Sequence, residues 1–455
     1  MKNSPRSPDD RGCPPGSSAQ KVVSWSRVIG PGRRAMRRLH YRRLRCTTTV
    51  SIGLLSCVVG WSGSASIAAT VRVERIDGAS LTGEWLGSTD GRTIDLAAVG
   101  APTSISTDDV RTIQFIDTSD AESTSSAATN RGEVVDLADG GRLFGRLIRV
   151  DEQGVVADCP LGPAARFPLE RVAGVRLADP LAFPRAAALY DSALGDRLPG
   201  DDVLITRSAD EPTSLRGALE ELNGTAGSFA FGGRSRGVQS EKIYGVVFAV
   251  GVRATSPSPM RFELADGSTL TGQIATATER SLTVNTSFDA RVEVAVSSVQ
   301  RIDVTSPRVV YLSDQPAKRE ITEGRLHRPE PARRDRGLTG RPLQIAGRTF
   351  AKGLACRSRC EMEWALDGAF ESFVATIGLD DDVRPRGSVA FRVLIGDPAA
   401  VEFDSGMVTG RDAPRDIRVD LSGAESMTLV VDYGDAYDLA DHAVWGDARL
   451  IRRAE

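Results

Sequence analysis

Along most of the chain, apolar and polar residues alternate in short runs. Phe262 and Leu264 bracket one polar residue; Phe373, Ala375 and Ile377 repeat the pattern, as do Val389, Phe391, Val393 and Ile395. Ile417, Val419 and Leu421, then Met427, Leu429 and Val431, continue it. Side chains at every second position point to one side of an extended chain, so each run predicts a strand with one buried face. Gly, Pro and Asp cluster between the runs and mark turns. The segment around Arg185 to Leu194 is the one helical pattern in the chain. The predicted fold class is therefore all-β.

A motif recurs through the first two-thirds. Asp77-Gly78-x-x-Leu81-x-Gly83, Asp139-Gly140-x-x-Leu143-x-Gly145 and Asp266-Gly267-x-x-Leu270-x-Gly272 share the form D-G-x-x-L-x-G, and Leu215-x-Gly217 is a degenerate copy. Each leads to a closing run that begins at Val110, Val172, Ile243 or Val299, at 27, 27, 26 and 27 residues from the last motif glycine. Asp-Gly supplies a positive-φ hairpin turn. Four β-meander units follow, at 70–117, 133–179, 202–250 and 261–305. Each has about 45 residues, near the lower limit for an independent core, so the units are expected to pack on one another. Their outline resembles a five-stranded Sm-like or SH3-like barrel, which assigns no function by itself. Polar, turn-rich linkers separate them: Thr118 to Gly132, Pro180 to Asp202 and Gly251 to Met260.

Charge divides the 455 residues unevenly. Lys+Arg 57 against Asp+Glu 60 gives −3 overall, but residues 1–69 hold 12 basic residues and only Asp9 and Asp10, a balance of +10, which leaves −13 for the rest. Arg33, Arg34, Arg37, Arg38, Arg42, Arg43 and Arg45 precede the apolar stretch Thr47 to Trp61 and the small residues SGSASIAA. This order predicts a secretory signal, with cleavage after Ala65 or Ala68. The apolar stretch is shorter than the ~20 residues of a transmembrane helix. Met36 is an alternative start. Leu54-Leu55-Ser56-Cys57 resembles a lipobox, so export to the periplasm or the exterior has lipid anchoring through Cys57 as a variant. The acidic body excludes a basic nucleic-acid binder. Cleavage would leave Cys159, Cys356 and Cys360, too few for a disulfide framework. Cys356 and Cys360 span ~13 Å of extended chain, too far for a bridge unless the chain turns between them.

From 308 to 455 the repeat stops, and about eight alternating strands predict a β-sandwich of jelly-roll type. Here Lys352-Gly353-Leu354-Ala355-Cys356-Arg357-Ser358 is followed by Phe370-x-x-Phe373-x-Ala375-x-x-Gly378-Leu379-Asp380-Asp381. Gly387-Ser388-Val389-x-Phe391-x-Val393 and Asp441-His442-Ala443-x-Trp445-x-Asp447-Ala448 come after it. These strings resemble the NPCBM family of carbohydrate-binding modules over about residues 308–452. The resemblance implies a galactose-binding-like jelly roll that binds a glycan or polysaccharide. The family pattern G-I-G-x-H-S has Arg357 here in place of its His, which implies altered recognition if that His holds ligand and little effect if it is structural.

Sugars are recognised by an aromatic face and planar polar groups. Trp445 with Asp441, His442 and Asp447, together with Arg357, offers that chemistry, while a core position for Trp445 is the competing expectation. Trp364 alternates with Met362 and Leu366 and is expected in the core. Asp380, Asp381 and Asp382 read either as oxygen ligands for a structural Ca²⁺, which the family analogy implies, or as a solvated acidic turn. Asp432, Asp435, Asp438 and Asp441 pose the same choice, and Cys356 and Cys360 read as buried thiols. Only His327 and His442 lie beyond the leader, HExxH and P-loop signatures are absent from the sequence, and Gly233-Arg234-Ser235-Arg236-Gly237, which has the G-x-S-x-G spacing, reads as a β-turn. The expected protein is an exported, non-catalytic glycan binder. The alternatives are a structural or protein-interaction component of the envelope, contacting partners through the β repeats, and a glycan-active hydrolase.

Overall fold

The computed structural model describes residues 69–98, 101–116, 132–249, 259–326, 328–396, 398–435 and 437–454. The predicted leader and Cys57 therefore lie outside the described residues, as do His327 and most of the linkers Thr118 to Gly132 and Gly251 to Met260. Strands dominate, and Pro184–Gly195 is the α-helix among the described residues. The fold is all-β: the strands up to Val304 join into one connected 21-stranded sheet, and a sandwich follows.

The motif residues shape each N-terminal unit. Gly78, Gly140 and Gly267 have φ of 86°, 89° and 85°, which an L side chain rarely adopts. Beside them, Asp77, Asp139 and Asp266 each accept a hydrogen bond through Oδ1 from the backbone N–H two residues on, at 3.0, 2.8 and 2.9 Å. The last motif glycine has a different cause. A Cβ at Gly145 or Gly272 would stand 2.2 or 2.5 Å from the carbonyl oxygen of Asp158 or Asn285 on the neighbouring strand, so only glycine lets the strands cross. Before every closing strand lies a single 3-10 turn: Thr107–Asp109, Leu169–Arg171, Ser240–Lys242 and Val296–Ser298.

The closing strands join units edge to edge. Val110–Phe115 pairs antiparallel with Val299–Val304, with Ile113 opposite Ile302. Val172–Leu177 likewise pairs with Ile243–Val247, with Val175 opposite Val246. One hydrophobic cluster, including Trp85, Ile113, Phe167, Val246 and Phe262, runs through all four units. The helix covers the second and third units: its Tyr190 is buried against Tyr244 and donates to Asp136 Oδ2 at 2.8 Å.

The C-terminal part is a sandwich. In one sheet the order is Arg333–Arg334, Gly353–Arg357, His442–Arg452, Phe370–Leu379 and Arg415–Asp420, with Val309–Tyr311 also on His442–Arg452. The other runs Arg319–Thr322, Cys360–Ala365, Ser426–Tyr433, Ser388–Ile395 and Ala400–Thr409. Between them lie Phe373, Phe391, Met362, Trp364 and Trp445. The strands that alternation did not predict, such as Arg319–Thr322 and Arg333–Arg334, are short, polar and largely exposed, so they bury no apolar face to leave a pattern.

The first unit docks on this sandwich. Ile76 packs with Val374, Ile451 and Val309. Arg449 Nε donates to the Ile76 carbonyl at 2.9 Å, Arg418 pairs with Asp77 at 2.9 Å, and Arg308 pairs with Asp109.

Candidate functional site

After the strand Ser426–Tyr433 the chain turns back through residues 434–441 before re-entering the sheet at His442. Two buried carboxylates anchor this return. Asp438 accepts from the Arg325 and Leu326 N–H groups, both at 2.9 Å. Asp441 accepts from Ser358 Oγ at 2.5 Å and from the Ser388 N–H at 3.1 Å. Three other segments are thereby tied to one end of the sandwich. Burial, the largest effect, pushes the Asp441 carboxyl up to about 6; the Ser358 and Ser388 hydrogen bonds and nearby Arg357 work against that rise, and Asp438 adds to it.

Several side chains beside these anchors turn outward. Tyr437, at a φ of 55°, is 57% exposed, and Leu439 and Leu326 are 55% and 60% exposed. Exposed apolar side chains grouped on two adjoining loops are unusual for a surface that contacts only water. The Arg325 guanidinium lies 5.8 Å from the Tyr433 ring centre and 5.9 Å from that of Tyr437. This cation–π contact holds a planar hydrogen-bond donor beside an exposed aromatic ring.

The residues expected from sequence divide into three groups. Arg357, Asp441 and His442 do come together: Arg357 stands opposite His442 in the strand register, and Asp441 precedes it. Arg357 Nε is enclosed with no hydrogen-bond partner among the described residues. Trp445 belongs to the core: it is 0% exposed, with Phe391 edge-on at 4.9 Å and Phe373 at 6.1 Å. Its face cannot stack on a sugar, which corrects that expectation. The reason is geometric, because Trp445 falls on the inward side of a central strand. Asp447 is corrected as well. Its Oδ2 meets Arg111 at 2.5 Å and Arg449 at 2.6 Å, where the first unit docks on the sandwich, so its carboxylate is spent on the interface.

The calcium expectation also gives way. Asp381 accepts from the Ala346 and Gly347 N–H groups at 2.6 and 2.7 Å, and Asp382 from Thr339 and from Arg341. Asp380 is buried and accepts from the Asp382 N–H at 3.0 Å; burial pushes its carboxyl up to about 6. The three carboxylates diverge onto different partners, and among the described residues no group of three His, Cys, Asp or Glu side chains is placed to hold a metal ion. The spacing of Asp432, Asp435, Asp438 and Asp441 gives no oxygen cluster either: Asp432 pairs with Arg392 while Asp438 and Asp441 serve as anchors. Sequence reasoning missed Arg325, Tyr433 and Tyr437. The available signal was Tyr437 in the turn-rich stretch Gly434-Asp435-Ala436-Tyr437, where an aromatic has no strand face to fill, whereas Tyr433 ends the strand Ser426–Tyr433.

Residues 308–451 match the NPCBM/NEW2 domain. A protein of Renibacterium salmoninarum named "Putative endo-alpha-N-acetylgalactosaminidase" is 30% identical over 112 residues, 25% of this chain. This chain spans 7% of that protein's length. Among solved structures, the CBM51 module of Clostridium perfringens GH95 in complex with methyl-galactose is 25% identical, with 31% of this chain and 99% of that one covered at a TM-score of 0.28. A second, CBM51-2 in complex with GlcNAc together with the INT domains of Clostridium perfringens ZmpB, is 23% identical over 38% of this chain and 37% of that one, at a TM-score of 0.30.

Proposed function

We propose that this protein is an exported, non-catalytic glycan binder whose C-terminal NPCBM domain holds sugar on the loop surface of Arg325, Tyr433 and Tyr437. The domain match supports carbohydrate as the ligand class. The observation that carries the choice of surface is Tyr437, 57% exposed, with the Arg325 guanidinium 5.9 Å from its ring centre. A pyranose presents an apolar face of C–H groups ringed by hydroxyls. The tyrosine would cover that face while the neighbouring guanidinium donates to the hydroxyls. Arg357 and His442, opposite each other on neighbouring strands beside the Asp441 anchor, would set which hydroxyl patterns fit.

The first unit, docked through Asp447, Arg111 and Arg449, would then act as a rigid base that fixes the direction in which the sugar-binding loops face. The same docking favours the second reading, a structural component of the envelope that keeps the sandwich fold without sugar affinity.

A glycan array with the full chain and with Tyr437→Ala separates the two. Retained glycans on the parent, with affinity at least tenfold lower in a folded Tyr437→Ala, is the expected result; tenfold corresponds to about 1.4 kcal/mol. No retained glycan from either protein leaves the structural reading, and equal binding by both refutes the surface.

A further inference from the structure

Two thiols that the glycan reading does not use belong to one buried cluster inside the sandwich. Gly353–Arg357 pairs with His442–Arg452 in one sheet, and Cys360–Ala365 pairs with Ser426–Tyr433 in the other. The chain therefore crosses between sheets within Arg357-Ser358-Arg359, and the extended ~13 Å separation of the two cysteines collapses. Mutual backbone hydrogen bonds between Arg359 and Glu323, at 2.9 and 3.2 Å, hold this corner from outside, and Ser358 Oγ ties it to Asp441. Cys356 and Cys360 are both 0% exposed and belong to the same core cluster. Each is a free thiol in this structure. Hydrogen bonding to the Cys360 sulfur, followed by burial, pushes the Cys356 thiol well above its ordinary range.

We propose that Cys356 and Cys360 are a disulfide-forming pair, oxidised as the chain folds, whose bridge clasps the two sheets at the corner carrying Arg357 and Ser358. The oxidant is a disulfide, either of an exported thiol oxidoreductase or of oxidised glutathione. One cysteine thiolate attacks the oxidant's disulfide and expels one thiolate; the second cysteine thiolate attacks the resulting mixed disulfide and expels the other. The bridge forms, the oxidant's S–S bond is reduced to two thiols, and those thiols take up the two protons that the cysteines lose. Because a buried protonated thiol is inert, the exchange belongs to the folding chain, before the sandwich closes. A bridge of ~2.05 Å between residues four apart closes a small ring at a corner where the chain already passes from one sheet to the other.

The assay refolds the full chain from denaturant in a glutathione redox buffer, alkylates it in denaturant, and digests it with trypsin. Cleavage after Lys352, Arg357 and Arg359 puts the two cysteines on separate peptides, Gly353–Arg357 and Cys360–Arg386. The expected result is these two peptides joined, lighter than their sum by two hydrogens, unalkylated, and released by a reducing agent, while Cys159 is alkylated throughout. The oxidised chain should also have an unfolding equilibrium constant on the order of 30-fold below that of the reduced chain, from the entropy of a five-residue loop. Cys360→Ser should show no such dependence on oxidation. The proposal is overturned if both peptides are found alkylated or carrying glutathione, or if the bridged chain is no more stable than the reduced one. No sugar enters this assay, so its failure and that of the glycan reading are told apart.

Discussion

Replacing Asp447 by Ala tests whether this residue serves the interface or the sugar. Its side chain is 9% exposed and Arg449's is 3% exposed, and they meet at 2.6 Å. Arginine keeps its proton at any ordinary pH, so removing the carboxylate leaves a charge buried between the first unit and the sandwich with only backbone carbonyls as partners. Breaking a buried pair from one side costs about 3 to 5 kcal/mol. Arg111 adds little to that figure, since its side chain is 29% exposed and it retains Glu74 at 3.1 Å. Chemical denaturation should thus show Asp447→Ala destabilised by about 3 to 5 kcal/mol. Combined with Arg449→Met the loss should be smaller than the sum of the two single losses, with a coupling of ~1 to 3 kcal/mol. Glycan affinity of the folded fraction should not change. A variant as stable as the parent but devoid of glycan binding would refute this reasoning and return Asp447 to the sugar site.

Two further outcomes follow from the same geometry. Trp445→Ala should cost about 3 to 5 kcal/mol in denaturation because it opens a cavity beside Phe391 and Phe373, yet leave the dissociation constant of the folded protein for glycan unaltered; a selective loss of binding would contradict the core placement. Asp441 titrates near 6 in the folded chain against an ordinary 3.8. The folded state therefore holds this proton more tightly than the unfolded state, and the stability it lends below pH ~4 is lost as pH rises towards 6, by about 3 kcal/mol. Parent and Asp441→Asn denaturation curves should diverge by that amount across the interval, and parallel curves would show that the carboxyl is not perturbed.

Much of this architecture is written in local pattern. Alternation in Phe373 to Ile377 or Val389 to Ile395 predicts strands because a two-residue period is a property of the extended backbone itself. The Asp-Gly turns are equally local, since positive φ and an aspartate accepting from the residue two ahead are settled within four residues. The NPCBM resemblance over residues 308–452 rests on the same kind of information, and the match at 308–451 agrees with it.

What the sequence could not decide is which partner each polar or aromatic side chain meets. Trp445, Asp447 and His442 stand close together near the chain's end, yet the first lies in the core and the second at the docked first unit, while the third lies beside the candidate loops. Strand register, sheet order and docking separate them, and these depend on contacts between residues distant in the chain, such as Leu354 opposite Trp445 and Arg449 with Ile76. The exposed surface of Arg325, Tyr433 and Tyr437 and the meeting of Cys356 with Cys360 have the same origin. Tertiary folding brings loops from both sheets to one end and turns a corner between two strands, and no period along the chain encodes either event.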